Sequence, residues 1–493
     1  MSRRTLIVGA QVVTGAAGEM SLSPQDLIIE GGLIRNIVAS GSVAPTGDDD
    51  LITAHGRLVF PGLVNAHTHS YGNLGSGMFD GLTLEAWVPF SSAITAGRNF
   101  EEGYVSAMIG GIAALRTGTT TVLDHLGGTL ESIEGALQAY VELGIRVTLA
   151  PMVADMPAHR TVTPVPSFEP MLLKRLDARE TPDLATLAEL QHTLVRSWHG
   201  RDSRVKIALG PSGPQRCSDE LLAWSARAAE EFDTIVHTHL LESRAQCSSP
   251  LAGEKGLVSR LGDHGLLTER LSAAHGVWCS EDELRLIADA GASMVHNPWS
   301  NLTLGNGVAP FPRWIQLGIR SGIGTDGANC GNDQNMLLAM RLATVIHRSA
   351  AEVVESWPTP HRILEAATAG SAAAAGWSGS VGRIEVGRAA DLTIIDGTSS
   401  TYLPASDPVT QYVLAEQGRD VETVIVGGRV VMTQGVPTLV DERSIVARAA
   451  EAQERMLARS APAIRLAEEQ RISMLRVSRN AHDRAPVSDG QCA

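Results

Sequence analysis

The sequence predicts an α/β protein, a (β/α)8 barrel with a small β-sandwich domain built from both terminal segments. Three observations carry this expectation. Between residues 59 and 325, short apolar β-branched runs alternate with helical segments, and that alternation means a parallel sheet with right-handed crossovers. Eight strand candidates fall within about 270 residues, which suits a closed barrel better than an open sheet. Histidines and carboxylates then recur at the C-terminal ends of those strands, the face where barrels of this kind carry their chemistry.

The elements follow in chain order. Residues 6–13, 26–30 and 33–39 read as strands, with Gly31-Gly32 as a hairpin turn between the last two. The first barrel strand is expected at 59–65. Helix 102–115 precedes strand 119–124, helix 130–143 precedes strand 146–151, and helix 184–198 precedes strand 205–210. Helix 218–232 opens on Ser218 and Asp219, an N-cap pattern. Strands 234–239, 271–275, 293–296 and 319–325 complete the series, with helix 281–290 between two of them. Alanine-rich helix 366–375 follows, then strands 391–395 and 423–431. These last strands pair with the N-terminal ones, because neither set buries a face alone. The expected domains are therefore 1–57 and 378–440 for the two parts of the β-sandwich and 58–377 for the barrel. A charged helical tail occupies 441–493, losing its periodicity over the last fifteen or so residues.

Composition narrows the function. The 493 residues are 44% hydrophobic and 19% charged, an ordinary globular balance. With 40 Lys+Arg against 54 Asp+Glu the net charge is −14, so nothing neutralises phosphates and neither a nucleic-acid nor a membrane partner is expected. Five cysteines, none at CxxC spacing, argue against a disulfide framework and for a reducing cytoplasmic setting. No run of about 18 apolar residues is present. Ser2-Arg3-Arg4 before Thr5-Leu6-Ile7-Val8 reads as the lead-in to a strand, since the apolar run is too short for a signal peptide.

The chemistry-bearing residues sit at strand ends. Strand one ends in His67-Thr68-His69 and strand five in His237-Thr238-His239, with Glu242 three residues on. Residues two apart on a strand point to one side, so each pair can close on one ion. His275 ends strand six and Asp326 ends strand eight. Imidazoles with a carboxylate form the nitrogen/oxygen set that suits Zn²⁺ or a similar divalent ion.

These residues resemble the amidohydrolase superfamily, in its branch of metal-dependent aminohydrolases (deaminases) and triazine chlorohydrolases. The resemblance rests on 60–69 (FPGLVNAHTH), 237–243 (HTHLLES), 274–276 (AHG), 296–302 (HNPWSNL), 324–328 (GTDGA) and 382–392 (GRIEVGRAADL), and spans residues 5 to 440. It implies His67, His69, His239 and Asp326 as ligands of one divalent metal, Zn²⁺ first and Fe²⁺ or Mn²⁺ as alternatives. It implies Glu242 as proton shuttle and His275 as the contact to the attacking water or the substrate. His237 then lies behind the ligands. Some relatives bridge two metals through a lysine at the end of strand four; Lys206 starts that strand instead, so one metal is expected. Many deaminase relatives carry a histidine just after strand four, where this chain has Ser212-Gly213-Pro214-Gln215. Gln215, Trp87 in the loop after strand one, His125 at the end of strand two and His296 are the candidate substrate contacts.

The implied function is hydrolytic deamination of an amino-substituted nitrogen heterocycle of purine, pterin, pyrimidine or triazine type. Water activated by the metal attacks the C–NH₂ carbon while Glu242 moves the proton. The partners are that small heterocycle and water, in a homodimer or higher homo-oligomer. Two alternatives stay open: the same hydrolase with chloride, alkylamine or a ring amide as leaving group, and an inactive scaffold.

Overall fold

The computed structural model describes residues 4–484 apart from 17, 163–165, 180, 332 and 349–352. At its centre the chain forms parallel strands alternating with helices. Leu63–Thr68, Thr119–Leu126, Arg146–Val153 and the interrupted pair Val205–Ile207 and Gly210–Pro211 make one parallel sheet. Val236–Leu240, Leu271–His275, Ser293–His296 and Arg320–Ile323 make a second. The paired ladders thus form two parallel sheets, where the sequence predicts one ring of eight strands. The fourth strand breaks between Ile207 and Gly210, and Pro211 has no N–H to continue a ladder. Backbone hydrogen bonds still join the sheets. Leu209 bridges Val236 on one side, and Asp326 N donates to His67 O at 2.9 Å on the other.

Helix starts follow local chemistry. Asn99 and Glu102 form a capping box for Phe100–Arg116, and Ser280 and Glu283 form another for Glu281–Asp289. Ser218 caps Asp219–Glu231, as its position suggests.

The predicted strand at 59–65 is two strands. Arg57–Pro61 pairs antiparallel with Leu392–Asp396, and Leu63–Thr68 enters the first parallel sheet. Gly62 is the joint: its N–H donates to Asp391 O, and a Cβ there would lie 2.2 Å from Thr120 Oγ1. Both ends of the chain meet in one nine-stranded sheet. Ile7, Leu27, Ile29 and Ile34 pack there with Leu392, Ile394 and Ile425. A buried ion pair ties this sheet to the centre: Arg146 donates from two nitrogens to the two Asp391 oxygens, both at 3.0 Å.

The tail helix is longer than its periodicity suggests, running from Glu442 to Arg484. It packs along the helix Leu84–Thr95 and against Phe100–Arg116. Arg459 reaches the buried Glu102 carboxylate at 2.5 and 2.6 Å. Among the described residues no helix is long and apolar enough to cross a membrane.

Candidate active site

Six imidazoles converge at the C-terminal ends of the parallel strands: His67, His69, His125, His237, His239 and His275. Their tautomers are fixed by what lies behind them. His69 Nδ1 faces the His125 carbonyl and His239 Nδ1 faces the Ser212 carbonyl. A carbonyl only accepts, so each Nδ1 carries the proton and each Nε2 keeps its lone pair. Those two Nε2 atoms lie 3.1 Å apart. Two lone pairs held at that distance repel unless a cation sits between them. His67 is oriented by His237, whose Nε2 lies 2.8 Å from His67 Nδ1 and whose Nδ1 lies 2.9 Å from Ser272 Oγ. His275 donates from Nδ1 to Asn301 Oδ1 at 2.9 Å. His67 Nε2 and His275 Nε2 are buried without a hydrogen-bond partner.

The carboxylates complete the centre. Asp326 Oδ1 lies 3.4 Å from His69 Nε2 and 3.6 Å from His67 Nε2, and its Oδ2 lies 3.8 Å from His275 Nε2. Neutral imidazole nitrogens and a carboxylate oxygen aimed at one point, each ring anchored through its other nitrogen, are the donor set a divalent metal takes. The residues therefore fit the group. His275 and Asp326 are held at φ 78° and 63°, left-handed conformations that cost side-chain-bearing residues about 1–3 kcal/mol each and gather at functional sites.

Burial separates the charges. It drives His67 well below the ordinary imidazole range, helped by the neighbouring imidazoles. His239 is pushed down to about 3, by burial and then by His69 and His275. Glu242 moves the other way, well above the usual carboxyl range, through burial first and then Asp326 and Glu85. Burial alone would raise Asp326, but His69, His275 and His239 outweigh it and the net shift is downward. Two nearby carboxyls driven apart in this way are suited to different tasks, one ionised and one holding a proton.

A cavity of about 210 Å³ opens from this cluster. His69, His239, Glu242, His275 and Asp326 line its reacting end. Glu242 accepts from Asn306 Nδ2 at 2.9 Å and lies 3.7 Å from His275 Nε2. Trp87 lines the wall, on the helix Leu84–Thr95 and not in a loop, with its indole N–H donating to Asn329 O. Gln215 also lines the cavity, and its Oε1 is buried without a partner. The other two candidate contacts lie elsewhere. His125 sits buried behind His69 and His239, its Nε2 3.2 Å from Gly210 O. His296 stacks on Phe311 beside His347, outside the cavity lining. Lys206 is remote from the centre, with its ammonium over the Trp377 ring at 4.4 Å. Sequence reasoning missed Glu85, Met152, Gln246 and Met474, all of which line the cavity. Glu85 had a signal, standing two residues before Trp87. Met474 had none, because it lies in a charged helix far beyond the last strand.

Comparison with known proteins agrees with this geometry. The chain is 31% identical over 463 residues to a 5-methylthioadenosine/S-adenosylhomocysteine deaminase of Desulforudis audaxviator, covering 92% of this chain and 99% of that protein. It is 28% identical over 458 residues to a 5'-deoxyadenosine deaminase of Methanothermobacter thermautotrophicus, covering 90% and 97%. Among solved structures, an adenosine deaminase from Xanthomonas campestris with bound zinc matches at a TM-score of 0.79 and 25% identity, over 92% of this chain and 98% of that one. A triazine hydrolase from Arthrobacter aurescens matches at 0.81 and 25%, over 92% and 99%. The Amidohydrolase family model matches residues 58–431. That span holds every strand end in the histidine–carboxylate cluster, and the chain belongs to the Amidohydrolase family.

Proposed function

We propose that this protein is a metal-dependent deaminase of an adenosine-type nucleoside. One observation carries the reading: the cavity ends on inward-facing lone pairs of His69 and His239, with the carboxyl groups of Asp326 and Glu242 beside them. The names of the Desulforudis and Methanothermobacter relatives support the substrate class. His67, His69, His239 and Asp326 would hold one divalent ion, and the zinc in the Xanthomonas structure supports Zn²⁺. Bound there, such an ion brings the pKa of water to about 7, so that a nucleophile is available at neutral pH.

The chain's own groups do the rest. Asp326 accepts a hydrogen bond from the attacking water and turns it toward the C–NH₂ carbon. Glu242, held above the usual carboxyl range, gives its proton to the adjacent ring nitrogen, takes one from the water and passes it to the leaving amine. It then takes the last from the added hydroxyl as the C–N bond breaks and the carbonyl forms, which restores its starting state. His275, fixed by Asn301, steadies the oxygen added to the ring. Trp87 offers a flat wall to the heterocycle, and the free Gln215 Oε1 can accept from its edge.

The same reading treats the two parallel sheets as halves of one (β/α)8 barrel over 58–377. In this reading the nine-stranded sheet of 1–57 and 378–440 folds over into a β-sandwich, with 441–484 as a helical tail; the rest of the expected tail, 485–493, lies outside the described residues. The contacts of Leu209 with Val236 and of Asp326 with His67 support closure. The test is ammonia release by zinc-loaded protein from adenosine, 5'-deoxyadenosine and 5'-methylthioadenosine, alongside chloride release from a chlorotriazine. Ammonia from at least one nucleoside is expected. Turnover of the triazine alone would replace the reading.

A further inference from the structure

We infer that the C-terminal helix is a working wall of the substrate pocket, with Met474 setting how large a substituent the nucleoside carries away from its reacting ring. The inference rests on the deaminase reading for its substrate.

The reacting groups all come from strand ends or the residues just after them. Met474 comes from the helix Glu442–Arg484, outside the family match at 58–431, yet it lines the same cavity and is 3% exposed. The helix packs on Leu84–Thr95, which supplies Leu84, Glu85, Trp87 and Val88 to the cavity. Met474 therefore borders the substrate cavity from outside the strand ends that supply the reacting groups.

The helix is fixed in register where Met474 enters. Ser478, one turn on and on the same face, donates to Glu85 Oε2 at 2.5 Å and lies 2.7 Å from Thr83 Oγ1. The other Glu85 oxygen accepts from Ser243 Oγ, the residue after Glu242. Buried Glu85 thus links the C-terminal helix to the backbone that carries the proton shuttle. Val477 and Ala481 pack on Ala245 and Val162 on the same face, and Ser473 Oγ donates to Ser167 O at 2.7 Å. A methionine held by its backbone register but free in its own torsions makes an adaptable wall. The cavity of about 210 Å³ is smaller than the usual ligand pocket of about 300–1,000 Å³. A long 5' substituent must push Met474 aside.

The test measures kcat/KM of the zinc-loaded full chain for S-adenosylhomocysteine and for 5'-deoxyadenosine, one extended at the 5' position and one not. One group more or less in an apolar pocket shifts selectivity about 10–200-fold. Met474→Ala should raise the long-to-short ratio by about tenfold, and Met474→Trp should lower it. Ser478→Ala should move the ratio in the direction of Met474→Ala, and Ser478→Thr should restore it, which a merely destabilised fold would not do. Calorimetric affinities for the two corresponding 6-oxo products read the same ratio without chemistry. An unchanged ratio in Met474→Ala, by rate or by affinity, overturns the wall. A wild type that binds the products but releases no ammonia overturns the deaminase reading, and the affinity ratio then decides the wall. A wild type that neither deaminates nor binds either one overturns both.

Discussion

At the scale of single residues, the site is organised by what stands behind each imidazole. Carbonyls of His125 and Ser212 fix the Nδ1 protons of His69 and His239, and the asparagine Asn301 fixes His275. Glu242 is argued to move protons without holding the metal. Glu242→Gln keeps the side chain's size and polarity, so metal content should stay near one per chain while kcat falls about 10²–10⁴-fold. Loss of metal in that variant would make Glu242 a ligand. His239→Ala should lose metal and activity together, read by elemental analysis beside the rate; retention of a full equivalent would remove His239 from the ligand set. Much of this was legible in the sequence, because a strand places residues 67 and 69, or 237 and 239, on one side. Spacing alone treats His237 and His239 alike, and it was the family resemblance that singled out His239. Only the register of neighbouring strands turns His237 toward His67 and Ser272. The same limit applies to His125 and His296: position at a strand end does not tell depth, and both lie outside the cavity lining.

At the scale of elements, the alternation of strands and helices was readable because each helix carries its own start signal, as at Asn99, Ser218 and Ser280. The expected strand 59–65 was not read as two strands. Pro61-Gly62 is a break signal in the sequence, but the apolar residues on both sides read as one strand, and the close approach of Thr120 shows why glycine stands at the joint. The course of the C-terminal helix was equally hidden, because partners such as Glu101 and Glu102 lie more than 300 residues earlier. The joint between the central sheets and the terminal sheet rests on Arg146 and Asp391, whose side chains are 5% and 1% exposed. Removing one partner leaves a buried charge uncompensated, which typically costs about 3–5 kcal/mol. Asp391→Ala should lower unfolding stability by that amount in a denaturant titration. A loss below about 1 kcal/mol would mean the joint is held by its backbone contacts alone.

At the scale of the whole molecule, the cluster of buried imidazoles makes stability depend on pH. His67, His125, His237, His239, His275 and His296 all lie below the ordinary imidazole value of 6.5. The unfolded chain takes up protons at these sites near pH 6.5, while the folded chain does not until far lower, to about 3 at His239. Their contribution is therefore complete above about 6.5 and declines as pH falls below it. The melting temperature of metal-free protein should drop steeply between about pH 6.5 and 4.5. A flat profile would mean that the cluster is open to protons in the folded state. The central claim is a hydrolytic centre built on one metal ion at the end of the cavity that Trp87 and Gln215 line. Its most direct test is to strip the protein with chelator, add back Zn²⁺ stepwise, and measure ammonia release from 5'-deoxyadenosine at each step. The account predicts that the rate rises linearly from near zero and breaks at one equivalent of metal per chain. Full activity in the stripped protein, or a break at two equivalents, would contradict it.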